Sequence, residues 1–446
     1  MTIASASGTP LYVRRTSRKL EKLLIALFFV TSLASADTEW PTRADGARAA
    51  GFSQQSIDQL DAAMTKIVTD GDVAGMVWLL AKDGYIATYQ SAGMASIEDN
   101  RPMTRDALFR IYSMTKPITG VALMMLHEQG FWDLDDPVSK FIPEFADLQV
   151  MTRYNEAGDM ELTPVNRQPT MRELLNHSAG FGYGLGGDDP VNTAFRDREV
   201  LASADLNELI DRVADIPLLY QPGEQWVYSI AVDIQGYIVE QLTGQRFGDY
   251  LQEHIFEPLG MHDTAFYVKE QDRQRFADVY RWDREQGKLM RNAERADRPS
   301  YFDASRLESG GGGLVSSTHD YARFLQMLVN GGQLDDARIL SQESVDIMRT
   351  NSLREGLLLR GTDTRPGQAG QGFGVDFAVI FDPQAADSVQ GEGTYYWSGA
   401  AGTWFWIDPV HDMFWIGMIQ SQGGARPGAA NMRDIAVDII YEGLRK

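Results

Sequence analysis

Arg110-Ile111-Tyr112-Ser113-Met114-Thr115-Lys116-Pro117 runs directly into an apolar stretch from Ile118 to Leu126. Proline fits a helix only in or near its first turn, where its missing N–H is not needed. The helix therefore has to begin at about Ser113 or Met114. Ser113 and Lys116, three residues apart, then share one helical face. The serine hydroxyl sits at the positive end of the helix dipole, where developing negative charge is stabilised. A lysine half buried beneath it can help take the serine's proton. Alone the pattern is weak, because 25 serines and 9 lysines give roughly half a match by chance in this length of chain. An ordinary helix start with an exposed lysine fits it too. It is the only such match in the chain, and context has to decide.

Composition narrows the choice. The chain has 446 residues, long for one domain and natural for two lobes, with nine tryptophans for a large core. It has no cysteine, so disulfides, thiolate metal sites and a cysteine nucleophile are excluded. A net charge of −21 argues against a nucleic-acid partner. Arg14, Arg15, Arg18, Lys19 and Lys22 precede an apolar run from Leu23 to Leu33 and the small-residue triplet Ala34-Ser35-Ala36. That order predicts a secretory signal peptide over residues 1–36, cleaved before Asp37, and hence a periplasmic or secreted protein. The alternative is an uncleaved anchor. The run is too short to span a bilayer comfortably, so no stable membrane insertion is expected after cleavage.

One domain of two lobes is expected over 37–446. Ile57, Leu60, Met64, Ile67 and Val68 predict a helix over about 56–70. Two apolar runs around Lys82-Asp83-Gly84, over about 75–81 and 85–89, predict a β-hairpin. From about 131 to 299 the pattern predicts a mostly helical inserted lobe. Short helices are expected near 137–145, 171–176, 204–214, 232–242 and 247–255. Residues 151–168 are expected to be an irregular polar loop. The glycine-rich segment 180–190 fits either a functional loop beside a cleft or a plain connection. Gly310 to Gly313 lacks the Lys-Ser/Thr of a phosphate loop and is expected to mark close strand packing. A helix is expected over about 319–330, strands over 374–381, 395–407 and 413–420, and a last helix over 431–445. The fold class that results is α+β: an antiparallel sheet flanked by terminal helices, built from about 37–130 and 300–446, carrying the helical lobe of 131–299.

With these elements in place the chain resembles the serine β-lactamase-like superfamily (class C β-lactamases and penicillin-binding proteins). Within it the chain is most similar to the family VIII carboxylesterases. The resemblance spans about residues 50–440. It is carried by Ser113-Met114-Thr115-Lys116-Pro117, by Thr170 to Gly180, by Gln221 to Ile230, by Gly310 to Phe324 and by Trp397 to Pro409. Ser-x-x-Lys is the nucleophile motif of that superfamily. The resemblance implies a second catalytic position at Tyr228-Ser229-Ile230. There the esterases carry Tyr-Ser-aliphatic, and class C β-lactamases carry Tyr-x-Asn. Ile230 in place of asparagine counts against efficient β-lactam hydrolysis. Tyr228 keeps a phenol that, near Lys116, would act as general base and later protonate the leaving group. Asp233 matches an acid often found in the esterases, with a structural role. The third position is Trp397-Ser398-Gly399, where β-lactamases have Lys-Thr-Gly. A neutral ester would not miss the lysine, and Gly399 would let the strand approach the substrate. By the same resemblance the Ser113 and Ala400 amides would form the oxyanion hole, and Tyr183 would line the substrate site with Ile230, Trp397, Ser398 and Gly399.

Other chemistries fit less well. Gly-x-Ser-x-Gly is missing, and the six histidines show no metal-ligand spacing. A lone histidine in such settings is usually structural. No cofactor or metal is expected. The expected activity is hydrolysis of short-chain carboxylic esters, small-molecule substrates, through an acyl-enzyme on Ser113, with at most weak β-lactam hydrolysis. Alternatives on the same Ser-Lys-Tyr centre are a class C-type β-lactamase, a D-amino-acid peptidase and an acyltransferase. An alternative of another class is a non-catalytic relative that binds cell-wall peptides.

Overall fold

The structure, a computed structural model, describes Trp40 and residues 46–292, 299–355, 357 and 369–444. The expected signal peptide lies outside the described residues. Strands Gly75–Lys82 and Tyr85–Ser96 pair antiparallel around Asp83 and Gly84. Both turn residues are left-handed, with φ of 53° and 78°, the hand that a tight hairpin needs.

This hairpin belongs to an eight-stranded sheet. Its order is Gln371–Phe373, Ala378–Ile380, Thr394–Ser398, Trp404–Asp408, Met413–Met418, Gly75–Lys82, Tyr85–Ser96 and Arg101–Pro102. Every neighbouring pair is antiparallel. The closure joins the two ends of the chain, with Val77 opposite Met418 and Lys82 opposite Met413. Side chains alternate between two cores, as the pleat requires. Met76, Trp78, Leu80, Trp404, Trp406 and Trp415 pack with the terminal helices Gln54–Thr69 and Met432–Leu444. Val77, Leu79, Phe405, Ile407, Phe414 and Ile416 face the other way, into the larger core. That core also holds the helix Thr115–Glu128 and the helix Ala231–Thr243, which pack on each other. The α+β architecture is as expected.

Several local expectations are corrected. The strand expected over 395–407 is two strands, Thr394–Ser398 and Trp404–Asp408, separated by a turn in which the Gly399 N–H donates to the Thr403 carbonyl at 2.8 Å. Both strands are covered on both faces, so no alternation marks the break. The segment 374–381 holds only the strand Ala378–Ile380, paired with Gln371–Phe373. Residues 151–168 are not an irregular loop. Gln149–Tyr154 and Met160–Pro164 form a two-stranded ribbon that is mostly exposed, with Val150 buried. Residues 137–145 hold two single 3-10 turns instead of a helix.

Candidate active site

Strand Leu108–Arg110 pairs with Val315–Ser317, and the Ile111 N–H donates to the Leu314 carbonyl at 3.1 Å. Tyr112 then turns the chain with φ of 44°, a left-handed value that costs a non-glycine residue about 1–3 kcal/mol. Tyr112–Met114 make one 3-10 turn, and the α-helix proper begins at Thr115. Ser113 therefore precedes the helix instead of opening it, but still lies at its positive end. The surroundings hold this turn in place. Tyr321 donates its hydroxyl to the Met114 carbonyl at 2.9 Å, and the Leu314 N–H donates to Thr115 Oγ1 at 3.2 Å. Gly399 closes the turn from the sheet side. A Cβ there would run into the Ile111 carbonyl oxygen and Thr403 Oγ1. The close approach that this glycine permits is thus to the turn that carries Ser113.

Lys116 is fully buried, not half buried as expected. Its Nζ donates to the Gly311 carbonyl at 2.5 Å and to the Tyr183 hydroxyl at 3.4 Å. It also lies 4.5 Å from the centroid of the Tyr228 ring and 5.2 Å from that of Tyr183, within cation–π range. A buried ammonium without such partners would cost far more than the roughly 2–7 kcal/mol of a neutral amide or hydroxyl. Gly311 is itself held. Its N–H donates to Asp233 Oδ1 at 3.2 Å, and the Ser309 hydroxyl donates to the same oxygen. A Cβ on Gly311 would come within 2.7 Å of the Tyr183 hydroxyl. So the glycine run does not mark strand packing. It aims a backbone carbonyl at the lysine. Asp233 is fully buried. Burial pushes its carboxyl above the usual range, while the Lys116 cation and its hydrogen bonds oppose that rise.

Tyr228 lies just before the helix Ala231–Thr243 and donates its hydroxyl to Ser113 Oγ at 2.6 Å. Four rings surround it: His177 at 5.0 Å, Tyr183 at 5.5 Å, Trp397 at 5.6 Å and Trp226 at 6.3 Å between centroids. The structure thus brings Ser113, Lys116, Tyr228, Tyr183 and Trp397 together. Trp397 and Tyr183 are mostly buried. Ile230 is wholly buried in the core at the start of its helix, with its N–H donating to the Gly182 carbonyl at 3.0 Å. Ser398 is half-buried at the end of its strand, and Ala400 is exposed on the turn that follows Gly399.

Three contributors were missed in the sequence. They are the Gly311 carbonyl, His177 and Asp376. Asp376 is fully buried on a left-handed residue, accepts from Gln235 Nε2 at 3.0 Å, and leaves Oδ2 without a partner. Burial holds its carboxyl well above the usual range. Of two cavities, of ≈ 400 and ≈ 650 Å³, neither is lined by Ser113, Lys116 or Tyr228, but the smaller takes in Trp397 and Ser398. Hydrogen-bond geometry, not cavity size, marks this site. Among the described residues no group of three or more His, Asp or Glu side chains could hold a metal ion. No described helix is long and apolar enough to cross a membrane.

The turn that carries Ser113, a buried lysine and a tyrosine on the serine lie against an antiparallel sheet with helices on both faces, and comparison with known proteins gives that fold its family. The beta-lactamase family model matches residues 60–438, and the chain belongs to that family. It is a hydrolase of β-lactamase fold, related to the family VIII carboxylesterases. It is 31% identical over 357 residues to esterase EstB of Burkholderia gladioli, covering 76% of this chain and 84% of that protein. Monacolin J acid methylbutanoyltransferase of Aspergillus terreus is 28% identical over 299 residues, covering 65% of this chain and 69% of the transferase. The solved structure of EstCE1, described as a hydrolase with promiscuous acyltransferase activity, superposes with a TM-score of 0.70. It is 24% identical and covers 88% of this chain and 99% of its own.

Proposed function

We propose that this protein hydrolyses short-chain carboxylic esters through an acyl-enzyme on Ser113. The observation that carries the reading is the 2.6 Å hydrogen bond between Tyr228 and Ser113 Oγ, beside the buried Lys116. With the Lys116–Tyr228 pair one proton short of its fully protonated form, Ser113 Oγ attacks the ester carbonyl carbon and its proton passes to the pair. The pair returns that proton to the alcohol oxygen as the C–O bond breaks, leaving the acyl group on Ser113. Water then attacks the acyl carbon and gives a proton to the pair. Ser113 Oγ leaves and takes a proton back, and the acid departs. The Ser113 and Ala400 amides hold the oxyanion in both halves, with Trp397, Ser398 and Gly399 along the acyl site. Similarity to an enzyme named an esterase supports the choice of ester.

The test is turnover of p-nitrophenyl butyrate and of a chromogenic cephalosporin by the wild type and by Ser113→Ala. Fast ester turnover, slow or no lactam turnover, and loss of both in the variant are expected. Faster lactam turnover would replace this reading with a β-lactamase. Similarity to a methylbutanoyltransferase supports a second reading, in which an alcohol replaces water in the second half-reaction. Adding a small alcohol during turnover and measuring ester product against free acid separates the two. We also propose that residues 1–36 direct export. N-terminal sequencing of protein recovered outside the cytoplasm tests that, with Asp37 as the expected first residue.

A further inference from the structure

Tyr228 is useful only if its hydroxyl stays on Ser113, which it reaches through a 2.6 Å hydrogen bond. What holds the tyrosine is its neighbours in the chain, and both are held by His177. The His177 carbonyl accepts from the Val227 N–H at 3.0 Å. Its ring Nδ1 faces the Ser229 N–H at 3.3 Å and Ser229 Oγ at 3.0 Å. Ser229 Oγ accepts from the Ala231 N–H at 3.4 Å, which leaves its own proton free to point at the imidazole. One residue thus clamps the backbone on either side of Tyr228. Its ring also packs on the Tyr228 ring at 5.0 Å and edge-on to Trp226 and Phe373.

The clamp depends on His177 in two ways. The residue follows the short helix Met171–Leu175 and takes φ of 61°, a left-handed value in which Asn, Asp and His are enriched among non-glycine residues. Nδ1 can accept from two donors only while the ring is neutral, with its proton on Nε2, which is buried and has no partner. The groups of charge or titration that face the ring are Lys116, from the nucleophile helix, and Tyr228 itself. Trp226, Ser229 and Phe373 bring none. Burial, and then the Lys116 cation, push the imidazole well below its ordinary value and keep it neutral.

We infer that His177 is a positioning residue that sets the Tyr228 hydroxyl on Ser113 by holding the Val227 and Ser229 backbone. The inference rests on the reading of Tyr228 as proton carrier in the proposed ester hydrolysis. The experiment compares His177→Asn and His177→Gly with p-nitrophenyl butyrate, alongside Tyr228→Phe. Asparagine tolerates the left-handed backbone and puts an acceptor oxygen where Nδ1 stands. Glycine relieves the backbone but offers no acceptor. His177→Gly is expected to lose kcat roughly 10- to 100-fold with KM within about twofold, as misplacement of a catalytic group does. His177→Asn is expected to keep kcat within about fivefold. If His177→Gly does not fold, Ser229→Ala removes only the hydroxyl donor to Nδ1 and is expected to lower kcat about threefold at unchanged KM. A folded glycine variant with full kcat, equal losses in the glycine and asparagine variants, or an unaffected Ser229→Ala would overturn the inference. Full kcat in Tyr228→Phe would instead remove the reading beneath it, whatever the His177 variants do.

Discussion

Tyr228→Phe keeps the ring that His177, Tyr183, Trp226 and Trp397 pack around and removes only the hydroxyl on Ser113. Loss of a positioned proton carrier costs about 10²–10⁴-fold. The expected outcome is a kcat lower by about that factor for p-nitrophenyl butyrate, with KM and melting temperature close to those of the wild type. At this scale the sequence was legible where chemistry resides in side-chain identity. Ser113 and Lys116 stand in a motif that is weak alone, and Tyr228 came forward only through the resemblance to the esterases. The Gly311 carbonyl was not legible, because every residue carries a carbonyl and only the fold aims one at Lys116. The left-handed Tyr112 was equally hidden, since bulky aromatic residues rarely take that conformation. The full burial of Lys116 was not legible because the groups around its head, from Gly311, Tyr183 and Tyr228, come from distant parts of the chain.

Secondary-structure elements meet the site at two glycines. Gly399 ends its strand against the Ile111 carbonyl, and Gly120 on the nucleophile helix lies against Asp376. A Cβ at Gly120 would come within 2.7 Å of Asp376 Oδ2 and 3.0 Å of Val375 Cγ1. Overpacking of this kind costs about 1–3 kcal/mol. Gly399→Ala is expected to lower the melting temperature and, because it pushes on the turn that carries Ser113, kcat as well. Gly120→Ala is expected to lower the melting temperature with a smaller loss of kcat. Thermal melts and ester kinetics on the same preparations check both, and a Gly399→Ala variant with normal kcat would separate the strand end from the nucleophile. Elements were legible where a local signal exists. Asp83-Gly84 specifies its hairpin, and the stripe Ile57, Leu60, Met64 and Ile67 marks the first helix, all four being buried on one face. The break between Thr394–Ser398 and Trp404–Asp408 gave no signal, because apolar residues fill both faces of the strands on either side. The ribbon of Gln149–Tyr154 with Met160–Pro164 gave little, since only Val150 is buried in a core and the other ribbon residues are partly or fully exposed.

Across the whole molecule, the sheet joins strands from the two ends of the chain, and Asp376 joins three other segments near the site. Its N–H donates to the Leu175 carbonyl at 3.1 Å, its Oδ1 accepts from Gln235, and its Oδ2 rests on Gly120. Burial raises this carboxyl in the folded state, outweighing the Gln235 hydrogen bond and the Lys116 charge. The sign follows from linkage. The stabilising contribution of the neutral acid is fully present below the unfolded value of 3.8 and is lost as pH rises through the higher folded value. Asp376→Asn stays neutral at every pH. Its melting temperature relative to the wild type is therefore expected to rise between about pH 4 and pH 8. A difference that stays constant across that range would mean that Asp376 ionises alike in the folded and unfolded chain.

The central claim is that Ser113 is the nucleophile, and its most direct test is covalent. The wild-type protein is treated with a fluorophosphonate in stages, and at each stage residual p-nitrophenyl butyrate turnover and the site of attachment by peptide mapping are measured. One label per chain on Ser113, with turnover falling in proportion and no label on Ser113→Ala, is the predicted result. Attachment at another residue, or full turnover with Ser113 completely labelled, would contradict it.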